Sequence, residues 1–489
     1  MRRLLLSVAV LAGVALTACG SHPAGAPHVA VTSQRCPGTG LTGDADGGGP
    51  GRANTPAVGN AAFAGHGRLA FVSSGQLYVL DGTAAREPAR LYVVAAPAGA
   101  IAPAWSPDGR WLAFIVAPPS PYPAVSTPGG TLWLADADGN GARPVLANAG
   151  PFAWSPAADV LAATVTNPAT GSTQVCEVRP GTTPRLLPGV DGPAIWSPDG
   201  RQLAFTNIQY RPQTGFAGSK LETVPAAGGT PVVRVRSAAD ALLVAGWWPD
   251  GRGLLAWADP QGSASLAADG LPVVSYPLSG GRPVTLGTTL PRPPFVVTTL
   301  PGNGVAIVVG GDRVLWNGNK TITLCAVTGG CPGFAGGSTF FPGGSPGPAN
   351  LDPAWDARAL SQDQELTLAF VHGSASAPSP PGYGQAAVAA WYATRGLWVY
   401  ILGGNPYLVS GAGTGVAAPT WSADGKFLLY VRDNGLWLID PFAGRANSSP
   451  GTPSRTGGPA FPIVSRLFAG AWPNYYGYID WQDQFAWRG

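Results

Sequence analysis

The chain of 489 residues carries 29 Lys+Arg against 26 Asp+Glu, a formal charge of +3 that falls to +1 once Arg2 and Arg3 leave with an export signal. That balance gives no electrostatic footing for a nucleic-acid partner. Gly 70 and Pro 51 without a strict period would also suit a disordered polymer, but 45% hydrophobic residues and 17 Trp supply ample core, so glycine and proline are read as turns between many short strands.

Met1, Arg2 and Arg3 lead into an apolar run from Leu4 to Leu16, too short to span a bilayer comfortably, and the pattern reads as a signal peptide. Leu16, Thr17, Ala18, Cys19 and Gly20 resemble the lipobox of bacterial lipoproteins. The resemblance implies a signal peptide over residues 1–18, lipid on Cys19, and a chain anchored to the cell membrane on its extracytoplasmic face. A plain secretory signal that happens to contain a cysteine is the competing reading. No later segment reaches about 18 consecutive apolar residues, so no second crossing is expected.

Setting Cys19 aside leaves Cys36, Cys176, Cys325 and Cys331, an even set. Cys325 and Cys331 flank a run containing Gly329 and Gly330 that can turn tightly enough for a disulfide, and Cys36 would then pair with Cys176. Metal ligation is the alternative, but two isolated cysteines, a local pair and four histidines do not make ligand spacing, so neither metal nor cofactor is expected.

Residues 19–60 are rich in Gly, Pro, Ala, Ser and Thr and nearly empty of large apolar side chains; they read as a flexible tether. Beyond them one phrase recurs. Pro103, Ala104, Trp105, Ser106, Pro107, Asp108, Gly109 and Arg110 precede Leu112, Ala113 and Phe114, and Pro193 to Arg201 repeat it before Leu203, Ala204 and Phe205. Weaker copies run from Phe152 to Pro156, Trp247 to Arg252 and Pro419 to Lys426, with degenerate ones at Leu300 to Gly304 and Pro353 to Trp355. Trp105, Trp154, Trp196 and Trp248 mark a period of about 40 to 50 residues, which with strand-only patterning points to a propeller.

The phrase has the chemistry of a hairpin corner. Proline fixes φ, Asp108 or Asp199 bonds nearby backbone, Gly109 or Gly200 supplies positive φ, and the tryptophan ahead packs between blades from an inner strand. These phrases resemble the WD40-like propeller repeats of the TolB family, also found in the propellers of dipeptidyl-peptidase-like enzymes. The likeness covers most of Gly67 to Gly489, without the α/β domain that precedes the propeller in TolB proteins. The resemblance implies an all-β fold, a single propeller over residues 61–489. Strand pairs counted from Leu69, Leu112, Leu161, Leu203, Leu254, Val305, Leu366 and Phe427 give eight four-stranded blades, or seven if one degenerate copy is an insertion.

Three constellations suggest chemistry and fail on context. Gly343 to Gly347 spell G-x-S-x-G, but Pro342 and Pro348 deny the flanking strand and helix, and only His372 follows as a base. Asp136, Asp138, Asn140 and Gly141 open like a calcium loop, yet Ala147 stands where the closing acid belongs, leaving an Asp/Gly-rich hairpin turn. The aromatic stretch Trp472 to Trp487 suits sugar stacking or a peptide; the plainer reading is that Ala471 and Trp472 begin the phrase again and close the ring on the first blade near Leu69 to Leu80.

Two functions follow as expectations. The first is a monomeric scaffold that binds another cell-envelope protein through loops at one end of the channel, the longest being Ala117 to Gly130, Pro332 to Asn350 and Ser374 to Gln385. The second is an envelope enzyme on glycan or peptide, its acids meeting in the channel from distant blades. An acidic channel mouth with perturbed pKa values favours the enzyme, an apolar or Arg-lined one the binder.

Overall fold

A computed structural model describes residues 36–39, 41 and 55–489, except 118–128, 212–214, 263–269, 292–295, 301–302, 310–320, 330, 332–349, 356–366, 374–389, 391–392, 402–405, 445, 448–453 and 468–480. The named elements are β-strands and two short 3-10 turns, Ser410–Ala412 and Trp481–Asp483. The expectation of an all-β chain holds.

The strands gather into eight antiparallel blades. The first comprises Gly67–Ser73, Gln76–Gly82 and Arg90–Val93 with Phe485–Arg488; the others follow in chain order, from 100–149, 149–187, 194–237, 240–289, 296–326, 350–409 and 417–464. Each blade's second strand is sandwiched between two neighbouring blades, so it is apolar on both faces rather than alternating. Trp111–Val116, Gly253–Pro260 and Gly304–Val309 show this pattern, with nearly every residue buried. The eight second strands fall where the strand pairs were counted, the last two beginning one residue later, at Thr367 and Leu428.

Departures from four strands have local causes. Arg143–Trp154 is long enough to serve twice: Leu146 pairs with Leu132 as the second blade's outer strand, and Trp154 pairs with Leu161 as the third blade's inner one. The sixth blade has three strands among the described residues. The seventh is extended by Ala446–Asn447 and Ser454–Arg455, contributed from the eighth, with Ser454–Arg455 running parallel to Tyr407–Val409.

Apolar clusters fill every seam in turn. Phe114 and Val79 join the first blade to the second, Ala113 and Leu161 the second to the third, Val175 and Phe205 the third to the fourth, Ala204 and Leu254 the fourth to the fifth, and Leu255 and Val305 the fifth to the sixth. One cluster holds Val308, Phe370 and Tyr430 of the last three blades, and another returns from Leu429 of the eighth to Phe71 of the first. The ring is closed.

Closure is by antiparallel strand pairing: the C-terminal strand is the innermost strand of the first blade, with Leu69 opposite Trp487 and Phe71 opposite Phe485. This locates the closing tryptophan fifteen residues beyond the expected one, at Trp487 instead of Trp472, which lies outside the described residues. Among the described residues it is Phe485–Arg488 that pairs with the free edge of Gly67–Ser73.

Candidate functional site

The inner strands border the channel with their free backbone edges, and side chains such as Ile101, Trp154, Ile195 and Trp421 pack into the seams. Such edges invite pairing with another strand. Here they are irregular: register shifts interrupt the pairing between Ile101 and Ala104, Ala149 and Phe152, Val244 and Gly246, Leu351 and Ala354, and Ala417 and Thr420. Pro103, Pro151, Pro353 and Pro419 sit inside four of these bulges, removing a donor where proline is tolerated in sheets. Ala102 and Ala418 each take positive φ, +52° and +46°, just before the proline. The channel edge is therefore proline-broken and poorly suited to accept an extended chain.

The corners that follow are built as the repeat implies. Ser106 Oγ donates to Asp108 Oδ1 at 2.7 Å and accepts the Trp111 N–H at 3.0 Å; Ser197 and Ser422 do the same with Asp199 and Asp424. The hydrogen bond from Ser197 holds the Asp199 carboxyl below its ordinary range. Gly109 adopts φ +73°, and a Cβ there would strike the Arg488 side chain.

The tryptophans form a ladder. The indole N–H of Trp154 donates to Ala104 O, that of Trp196 to Ala153 O and that of Trp247 to Ile195 O, each acceptor being the residue before the preceding blade's tryptophan. The fifth blade's rung is thus Trp247, not the Trp248 on which the sequence period falls. Trp248 instead occupies the serine position, its backbone N–H reaching Gly253 O as the backbone N–H of Ser106 reaches Trp111 O.

Corners and third-to-outer turns share one face of the ring, and second-to-third turns and blade-to-blade connections share the other. The described strand ends flanking Ala117 to Gly130 and Ser374 to Gln385 belong to that second face, whereas Pro332 to Asn350 follows a third strand that ends on the corner face at Ala326 and leads to an inner strand that begins on the second face at Asn350. The interiors of those loops lie outside the described residues, as do Gly343 to Gly347 of the G-x-S-x-G spelling.

On the loop face Asp191 precedes the fourth inner strand, solvent-exposed yet crowded by the wall of the ring, and that burial lifts its carboxyl above the usual range. His372, at the end of the seventh blade's second strand, packs edge-on against Trp398 at 5.4 Å, and burial pushes its imidazole down to about 4. Arg395, the largest fully buried side chain among the described residues, lies on the same blade at 2% exposure. Among the described residues no group of three or more His, Cys, Asp or Glu is placed to hold a metal ion.

Asp136 to Gly141 form a hairpin turn on the corner face, with Asp136 N–H donating to Asn140 O and Gly139 N–H to Asp136 O, both at 3.0 Å. Burial and then the adjacent Asp138 push Asp136 up to about 6. Ala147, at the position of a closing acid, instead donates its N–H to Gly38 O.

Both disulfides are present. Cys325–Cys331 closes the turn after the sixth blade's third strand, where Ser275 of the fifth blade donates to Val327 O at 2.6 Å. Cys36–Cys176, with Cα atoms 6.0 Å apart, fastens the N-terminal segment at the seam of the second and third blades. Farther along, Val58 bridges Val464 on the outer strand of the eighth blade. The composition of residues 19–60 carried no signal for either docking point beyond the cysteine itself. Cys19 lies outside the described residues, and no described helix is long and apolar enough to cross a membrane.

No family model matches the chain, and no curated protein does. Similar solved structures include TolB from Acinetobacter baumannii, at 16% identity and a TM-score of 0.34 over 53% of this chain and 61% of that one. The β-propeller domain of the trilobed protease from Pyrococcus furiosus matches at 12% identity and 0.38, over 70% and 94%. Dipeptidyl peptidase 4 from Porphyromonas gingivalis matches at 12% and 0.45, over 78% and 58%. This chain thus spans less than two thirds of the Acinetobacter TolB it resembles.

Proposed function

We propose that the chain is a lipoprotein held to the outer side of a bacterial membrane through Cys19, and that its propeller is a scaffold binding another envelope protein on the loop face. The observation that carries the reading is topological: the long connections at Ala117 to Gly130 and Ser374 to Gln385 leave and re-enter the ring on one face, above a frame whose seams are filled with apolar side chains all the way round. A frame of that kind contributes position, and loops contribute contacts. The channel edge, broken by bulges and prolines, directs recognition to the loops.

An envelope hydrolase is the second reading, and Asp191, exposed with a raised pKa just before an inner strand, is the residue that favours it. Cross-linking in intact cells, comparing the whole chain with a variant lacking 374–385, separates the two. The scaffold reading expects one cross-linked partner to be lost with the melt unchanged. Hydrolysis of envelope glycan or peptide by the purified protein, stopped by Asp191→Asn, overturns it.

A further inference from the structure

We propose that the outer rim of the third, fourth and fifth blades faces the membrane and rests on anionic phospholipid, so that the channel axis lies parallel to the bilayer. The inference rests on the anchor reading above and adds an orientation to it.

Two independent observations meet on this sector. The first is where the N-terminal segment is fastened. Cys36 is bonded to Cys176 on Thr173–Val178, the third strand of the third blade; its N–H reaches Pro184 O in the adjoining outer turn, and Gly38 O accepts from Ala147 on the neighbouring outer strand. Cys36 lies seventeen positions from Cys19, against thirty-eight for Ala57, which accepts a hydrogen bond from Ser465 of the eighth blade. Even fully extended, seventeen steps of chain reach at most roughly 60 Å, less than half of what thirty-eight allow. The lipid is therefore held close to the third blade, not to the first or eighth.

The second observation is charge. The outer halves of these three blades, residues 173–187, 215–237 and 271–289, carry six basic side chains against two acids. Glu177 is taken up by Arg179 and Arg185, and Glu222 is buried. Lys220, Arg234, Arg236 and Arg282 make no ion pair with a described residue, and the three arginines are exposed. On the outer halves of the first two blades, 76–93 and 130–149, acids outnumber bases four to three.

Arg234 and Arg236 stand on Val232–Ser237, the outermost strand of the fourth blade, whose exposed and half-buried residues alternate. The exposed set is Val232, Arg234 and Arg236, an apolar contact flanked by two cations at the rim. Surface attraction to anionic lipid is additive over such cations and decays within a screening length of about 8–10 Å, so it acts only on a rim already held near the membrane. The short tether supplies that proximity, raising the local concentration of lipid at this sector as a linker does in any two-point attachment. In this orientation the loop face opens sideways, along the membrane surface.

Val232 and Val93 make a matched pair of probes: both lie on outermost strands, at 46% and 45% exposure, on the fourth and the first blade. The test places a photoreactive benzoylphenylalanine at position 232 or 93 of the full lipidated chain in vesicles of phosphatidylglycerol or phosphatidylcholine, with lipid on Cys19 measured in each sample. The expected result is a lipid adduct at 232 several-fold above that at 93, in phosphatidylglycerol only, and reduced to the level of 93 by Arg234→Glu with Arg236→Glu while the Cys19 label persists. Equal adducts at the two positions, or an adduct at 232 indifferent to headgroup charge, overturns the orientation alone. Absence of lipid on Cys19 overturns the anchor and the orientation with it.

Discussion

The indole N–H of Trp105 donates to the carbonyl oxygen of Ala486 at 3.1 Å, across 381 residues of sequence. It is the rung of the tryptophan ladder that spans the junction of the two chain ends, and the acceptor precedes Trp487 as Ala104 precedes Trp105. Arg488 strengthens the same junction by donating from Nη1 to Ser106 O at 3.0 Å. Replacing Trp105 by Phe leaves a carbonyl without its donor, at a cost of about 1–3 kcal/mol. Urea unfolding should show that loss, and hydrogen exchange should quicken on Phe485–Arg488 before it does in the fourth blade. Unchanged exchange on the closing strand would show that the rung adds nothing to closure.

The two disulfides should differ in weight. In the chain-entropy account a crosslink over 140 residues contributes about 5 kcal/mol and one over 6 residues about 2 kcal/mol. Cys36→Ser should therefore lower the unfolding midpoint more than Cys331→Ser does, and a non-reduced peptide map should recover both pairs from exported protein. Free thiols at these four positions would refute the pairing.

Acid stability should be set by opposed groups. His372 has its folded pKa lowered to about 4, below the ordinary 6.5, so the folded state resists protonation; the stability this reflects is full above pH 6.5 and is lost as pH falls toward 4, on the order of 3 kcal/mol in all. Asp136 has its folded pKa raised to about 6, above the ordinary 3.8, so it acts the other way and stability rises as pH falls through that window. Denaturant midpoints between pH 7 and 4 should flatten in His372→Gln and steepen in Asp136→Asn. Identical slopes in both variants would remove these groups from the account.

The repeat phrase made most of the ring legible because its residues act locally. Ser106, Asp108 and Gly109 determine a corner within five residues, and the second strands announce themselves by being apolar on both faces. What stayed hidden depends on contacts distant in sequence. Trp247 and Trp248 are indistinguishable by composition, and only the indole bond to Ile195 O tells them apart. The closing strand was obscured by a surplus of aromatic candidates, and the strands at 446–447 and 454–455 give no pattern because two residues are too few for one. Asp191 carried no motif; its environment comes from the ring wall.

Anchoring at Cys19 and folding of the propeller should be separable. Cys36, the first of the described residues, lies seventeen positions beyond Cys19, and its partner Cys176 is completely buried within the seam between the second and third blades. No described contact of the ring reaches the residues around Cys19, so Cys19→Ala should abolish labelling with a fatty-acid analogue and release the protein from the membrane fraction. The thermal melt and the Cys36–Cys176 crosslink should stay as in the parent chain, because the buried pair and the closing strand are untouched. Cys36→Ser should do the reverse, keeping the lipid label while losing stability. A Cys19→Ala chain that still takes up label would show that the lipid, if any, sits elsewhere, and the membrane anchor would have to be sought outside the lipobox.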